Sequence, residues 1–142
     1  MLNEKTRKFL QEVLDDTDAA RIRNAKSSAS VVVGYLQNRG FSNNDIIKFL
    51  AWATGVFAGI DGTIQRREHQ IFEDVFGFGT SYDAFFNAVK NYNSADEREL
   101  DQVVDTWPED QKLSLVVYGI CVMAHDGKLT GAELDYIERL LD

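Results

Sequence analysis

Sliding this chain over itself by 65 residues lays one pattern on another. Asp61, Gly62, Ile64 and Glu68 fall on Asp126, Gly127, Leu129 and Glu133. In each copy an apolar stretch runs into an Asp-Gly pair, and an amphipathic stretch follows with Glu in its first turn. The match extends beyond the motif, because Glu73 falls on Glu138 and Val75-Phe76 on Leu140-Leu141. A duplicated helix-turn-helix unit is therefore predicted over residues 44–76 and 109–141. Two such hairpins bury their apolar faces most simply against each other, about an approximate two-fold axis.

One proline in 142 residues, 3.6-residue hydrophobic periods and no convincing alternating strand predict an all-α fold, a helical bundle of about seven to eight helices. A first amphipathic helix is expected over residues 4–16, with Phe9, Leu10, Val13 and Leu14 on one face. A second spans 18–38, with Asp18 as its N-cap, Gly40 just past its end and a close-packing centre of small and β-branched residues at 27–33. Ser42 opens a third helix that is apolar around nearly its whole circumference and stops at Asp61-Gly62. A fourth covers 65–76 before the glycines at 77 and 79. Thr80 or Ser81 caps a short fifth helix that points Phe85, Phe86 and Val89 inward. Ser94 with Glu97 forms a capping box for a sixth helix, to about Thr106. Pro108 occupies the first position of a second apolar helix, through His125.

A chain of this length with 44% hydrophobic residues can bury a sizeable core, and one domain over residues 1–142 is the expectation. Cys121, the sole cysteine, excludes an internal disulfide and reads as a buried thiol in a reducing compartment. No apolar run is long enough to cross a bilayer and the N-terminus lacks a signal-like apolar region, so a cytoplasmic protein without membrane insertion is expected. The net charge of −8 is uneven. Residues 1–40 carry seven Lys/Arg against five Asp/Glu, and the remainder eight against eighteen. Nucleic acid is excluded as a partner by the shortage of clustered basic residues; a cation or a basic protein surface fits better.

The repeated spacing matches the second half of an EF-hand loop, where Asp, Gly, an apolar residue and a closing Glu occupy positions 5, 6, 8 and 12. Positions 1 and 3 fall on Phe57 and Gly59 in one copy and on Val122 and Ala124 in the other, so an ordinary EF-hand pair is ruled out on ligand count. Two readings stay open. In one, Asp61, Glu68, Asp126 and Glu133, helped by the carbonyls of Thr63 and Lys128, coordinate a hard divalent cation, Ca²⁺ or Mg²⁺. In the other, the glycines end helices and the carboxylates cap backbone amides. The second copy suits capping, since Thr130 and Glu133 make a capping box and Leu129 and Leu134 a hydrophobic staple. The first copy suits it less, with Gln65 in place of Thr130 and His69 in place of Leu134. Whether the fold brings the turns together or holds them apart is not decided by spacing.

The paired turns, Ile60-Asp61-Gly62 with Glu68 and Ala124-His125-Asp126-Gly127 with Glu133, resemble the tellurite-resistance TerB family and the related domain of DjlA-type membrane co-chaperones. The resemblance covers about residues 44–142. It implies two pseudo-symmetric helical bundles, a divalent-metal-binding acidic surface at Asp61, Glu68, Asp126 and Glu133, and a role in bacterial stress responses without catalysis. It also implies protein partners, a membrane-associated complex among them.

His69 beside Glu68 and His125 beside Asp126 invite a transition-metal reading, but two histidines and one distant cysteine fall short of a structural zinc site. No phosphate loop, nucleophile elbow or Ser/His/Asp set is present, so the protein is not expected to be an enzyme. The segment from Asp96 to Asp110 holds seven carboxylates against Arg98 and reads as a solvated face or a dock for a basic partner. Trp52, Phe57, Phe72, Phe76, Phe85 and Phe86 read as core, and Trp107 as a candidate interface residue. The expected function is a non-enzymatic binding or scaffolding module that takes a divalent cation at its turns. The alternative is a purely structural protein–protein interaction domain with no metal.

Overall fold

Short polar side chains placed just ahead of apolar-periodic segments set most helix starts in this protein. The structure, a computed structural model, describes residues 3–60, 66–89, 94–124 and 129–141, leaving out the side chains of Ser94 and Ala95. Within the described residues there are eight helices and no strand, an all-α bundle: α1 (Glu4–Asp15), α2 (Asp18–Asn38), α3 (Asn43–Gly59), α4 (Arg66–Phe76), α5 (Tyr82–Val89), α6 (Ser94–Asp105), α7 (Glu109–Met123) and α8 (Gly131–Leu141). Asn3 accepts from the Thr6 amide at 2.8 Å, Ser42 from Asp45 at 3.2 Å and Ser81 from Ala84 at 3.2 Å, each satisfying an amide that the first helical turn leaves unpaired.

Several boundaries differ from expectation. The cap of α2 is Thr17, whose hydroxyl accepts from the Ala20 amide at 3.1 Å, while Asp18 lies inside the helix and pairs with Arg21. Pro108 stands at the N-cap rather than the first helical position; its fixed φ tolerates either place. Helix α7 stops at Met123 because Ala124 turns extended. The Ser94–Glu97 box rests on a side chain outside the described residues. Beyond α2, Gly40 takes φ +88° and the Gly40 and Phe41 amides donate to Gln37 and Leu36, a Schellman close that favours glycine.

Helices α4 and α8 end at the same 65-residue offset, Phe76 against Leu141. Their predecessors α3 and α7 are buried on nearly every side and form the centre of one continuous apolar core. A helix apolar around its circumference is stable only when covered all round. Helix α2 supplies the largest cover, lying along α7 with Ala25, Ala29, Val32 and Leu36 on the buried face. Helices α1, α4 and α8 also pack on α7, and α5 and α6 pack on α3.

Two glycines let these helices come close. A Cβ added to Gly119 would stand 2.7 Å from the ring of Phe57, and one on Gly55 would stand 2.8 Å from the Cβ of Val89 in α5. Beside the first contact, the Tyr118 hydroxyl donates to the Thr54 hydroxyl at 2.6 Å, and Thr54 donates onward to the Leu50 carbonyl at 2.7 Å. The chain satisfies two hydroxyls that burial would otherwise leave stranded.

Four aromatic residues depart from expectation. Trp107 is buried, packed edge-on against Tyr35 at 5.1 Å and tilted against Phe49 at 5.7 Å, because the turn after α6 folds it under α2 and α3. Phe86 is 38% exposed and stacks on Tyr82 instead of entering the core, whereas its neighbour Phe85 is buried. Trp52 and Phe76 are half-buried at the edge of the core.

Gly119→Ala and Gly55→Ala are each expected to lower unfolding free energy by about 1–3 kcal/mol through overpacking. Gly34→Ala in α2, where nothing lies within 4 Å of the new Cβ, is expected to raise it by about 0.5–1 kcal/mol. Urea denaturation of the three variants checks both signs.

Candidate functional site

The residues of the two Asp-Gly turns, 61–65 and 125–128, lie outside the described part of the chain, and with them Asp61, Asp126 and His125. Their flanks are described, and these flanks meet. Ile60, which closes α3, lines a surface cavity of about 610 Å³ together with Ala132, Asp135, Glu138 and Arg139 of α8 and Glu97 of α6. On the other side Arg67, in the first turn of α4, donates from Nη1 to the Val122 carbonyl at 2.9 Å and from Nη2 to the Ala124 carbonyl at 2.7 Å. In the repeat, Ala132 answers to Arg67. The end of α3 thus faces the start of α8, and the end of α7 is gripped by the start of α4.

Glu68 and Glu133 enter the site from the first turns of α4 and α8. They are 4% and 1% exposed, and among the described residues they are the acidic side chains in the fully buried class. A carboxylate tolerates such burial where helix amides and the positive end of the helix dipole face it. Glu133 shows the arrangement directly. Its Oε1 accepts from the Thr130 amide at 2.7 Å, and its own amide donates to the Thr130 hydroxyl at 3.2 Å, the reciprocal box expected from Thr130 and Glu133. One oxygen of Glu133 is therefore committed to backbone. Among the described residues no group of three or more His, Cys, Asp or Glu stands close enough to hold a metal ion; sets that include Asp61 or Asp126 fall outside that statement.

His69 has a different task from metal binding. Its Nε2 donates to the Thr80 carbonyl at 2.6 Å, and Glu73, one turn further along α4, accepts from the Thr80 amide at 2.9 Å through Oε1. Both ends of one residue are thereby clamped to α4, and the loop bends through Gly77 and Gly79 at φ +67° and +75° to reach it. The His69 ring packs against Tyr82 and Phe85, with Arg66 over Tyr82 at 4.2 Å. Glu138, the repeat counterpart of Glu73, instead pairs with Arg7 at 3.3 Å. The i, i+4 spacing of His69 and Glu73 ahead of a Gly-x-Gly loop was the available signal for this clamp.

Two arginines also escape a reading of sequence. Arg21, almost fully buried, donates from Nη1 to the carbonyls of Leu14 at 2.7 Å and Asp16 at 2.5 Å and pairs with Asp18, fixing the corner between α1 and α2. Arg21 and Arg67 flank a cavity of about 220 Å³ that Cys121 also lines. Burial pushes the Cys121 thiol from its ordinary 9.0 up to about 11, and the two guanidinium groups offset this only in part. Tyr118 is raised far above 10.0, again by burial, against the opposing pull of its bond to Thr54.

In the acidic middle segment, Asp96 accepts from the Trp52 indole at 3.3 Å and Asp105 stands 3.9 Å from the ammonium of the nearly buried Lys112. Most of the other carboxylates there face solvent.

Cys121 and Tyr118 both have a pKa raised on folding, so their contribution to stability is whole below pH 9 and is lost as pH climbs through the folded value. Denaturation midpoints are expected to hold steady up to about pH 9 and then fall, with about 2 kcal/mol of the loss at pH 11 removed by Cys121→Ala. Thr130→Ala should cost about 1 kcal/mol at neutral pH by opening the capping box, read by thermal unfolding. Comparison with protein-family models, with curated proteins and with solved structures gives no match to this chain.

Proposed function

We propose that this protein is a non-enzymatic binding module of the TerB type whose Asp-Gly turns take a divalent cation, Ca²⁺ or Mg²⁺, through Asp61, Glu68, Asp126 and Glu133. The observation that carries this reading is the meeting of the two turns' flanks, through Arg67 on the Val122 and Ala124 carbonyls and through Ile60 beside the start of α8. Each turn alone offers two carboxylates, too few for tight binding of a hard cation. With their flanks in contact, carboxylates from both turns would raise the ligand count and concentrate negative charge where a cation is drawn in. With Glu133 partly committed to its cap, weak affinity is the expectation, on the order of 10⁻⁴ to 10⁻³ M.

In this reading the protein works in the cytoplasm within a stress response. Its exposed carboxylates between Asp96 and Asp110 meet a basic surface on a protein partner, including one belonging to a membrane-associated complex. Among the described residues no helix is long and apolar enough to cross a membrane. A second reading, a purely structural interaction domain without metal, is favoured by one specific observation: the Thr130–Glu133 box is complete with protein atoms.

Isothermal titration separates the two. Ca²⁺ and Mg²⁺ titrated into the wild-type protein should give saturable heat, and Asp61→Asn or Glu68→Gln should weaken it by at least about tenfold through loss of a charged ligand. Flat traces for wild type and variants alike would leave the structural reading standing.

A further inference from the structure

Phe9 shares the apolar stripe of α1 with Leu10 and Val13, yet it is 41% exposed while those two are buried. Its ring borders a cavity of about 500 Å³ between the start of α1, the start of α7 and the end of α8. Leu113 and Leu141, both half-buried, supply the rest of the apolar lining. Charge is divided between the walls. Lys5 stands on α1, one helical turn before Phe9, and Glu109 and Asp110 stand on α7. All three are exposed, and among the described residues none of them forms an ion pair, so the cavity holds opposite charges apart instead of joining them. Glu109 and Asp110 have a local reason to be there, since acids in a first turn complement the helix dipole. An aromatic ring left in water beside an open cavity, with unmatched charge of each sign on its two sides, is the pattern of a contact surface.

A surface that pairs with its own copy about a two-fold axis must be self-complementary. This one meets the condition. With the axis through the mouth of the cavity, Phe9 of each copy enters the cavity of the other, and Lys5 of each comes to face Glu109 and Asp110 of the other. A basic peptide would match the α7 wall but meet Lys5 as a like charge on the α1 wall, whereas a second copy matches both.

We propose that this face is a two-fold interface between copies of this chain, with Phe9 as its apolar anchor and Lys5 paired across the axis with Glu109 and Asp110. The contact is small, centred on one ring from each copy, and belongs to the class of weak, reversible associations. It is independent of the cation reading above and does not use the carboxylates of α6.

Sedimentation velocity in chelator, from about 10 µM to about 1 mM protein, tests the proposal. The wild-type protein should pass from monomer to dimer across this range and go no further. Phe9→Ser, a change at an exposed position that leaves Leu10 and Val13 in the core, should weaken dimerisation at least about tenfold. Lys5→Glu in one preparation, and Glu109→Lys with Asp110→Lys in another, each set like charges across the axis and should weaken it about three- to tenfold. Mixed together, these two preparations restore both charge contacts, and the mixed dimer should return to within about threefold of wild type. That rescue also shows the charge variants to be folded, so the test stands even where the serine variant folds poorly. A wild-type protein that stays monomeric, a dimer indifferent to Phe9→Ser and to both charge variants, or charge variants that remain apart when mixed would overturn the proposal. None of these outcomes touches the calorimetric titration of the turns, so this interface and the cation reading stand or fall separately.

Discussion

The close approach of α3 and α7 is the constraint on which the remaining helices depend. Phe57 lies where Gly119 has no side chain, and a single added methyl group would enter its ring. That contact lets two apolar helices share one seam, and the Thr54–Tyr118 hydroxyl chain removes the penalty of burying polar atoms beside it. Once the pair forms, each helix still exposes most of its circumference. Helix α2 covers α7 and α5 covers α3, the latter through a second close approach at Gly55 and Val89. Burial of each large side chain along these seams contributes about 1.5–3 kcal/mol, so coverage, rather than helix propensity, holds the bundle together.

Positions that correspond under the 65-residue offset do different work in this fold. Arg67 caps the neighbouring helix while Ala132 lies beside a cavity. Glu73 clamps the α4–α5 loop while Glu138 pairs with Arg7 of α1. Tyr118 reaches Thr54 across the seam, whereas the reversed pair would be Ala53 and Gly119, two residues with no hydroxyl to exchange. Glu68 and Glu133 are the exception, since both stayed buried at the same place in the first turn of their helices.

Buried Arg21 and half-buried Arg67 satisfy main-chain carbonyls at helix ends, where a guanidinium offers more donors than any other side chain. Solvent-facing carboxylates gather on α6 and the start of α7, where they can be hydrated at little cost. Arg21 and Arg67 thus serve as struts at helix ends, while most of the remaining basic residues that are described stay on the surface.

Helix class and most limits were legible in the chain because each rests on neighbours in sequence: caps at Ser42 and Ser81 and glycine stops at Gly40 and Gly77. The Thr130–Glu133 box was legible for the same reason. Small slips, Thr17 in place of Asp18 and Pro108 one position early, reflect local choices of nearly equal energy. Trp107, Phe86, Arg67 and the grip of His69 on Thr80 were not legible, because each depends on which distant surface arrives beside it. Local hydrogen bonding and periodicity are written into consecutive residues, so the sequence by itself determined the elements and the 65-residue offset between the two acidic turns. Which ends of those elements meet is decided by packing α3 across α7, and only the tertiary structure brought the flanks of the two acidic turns to one place.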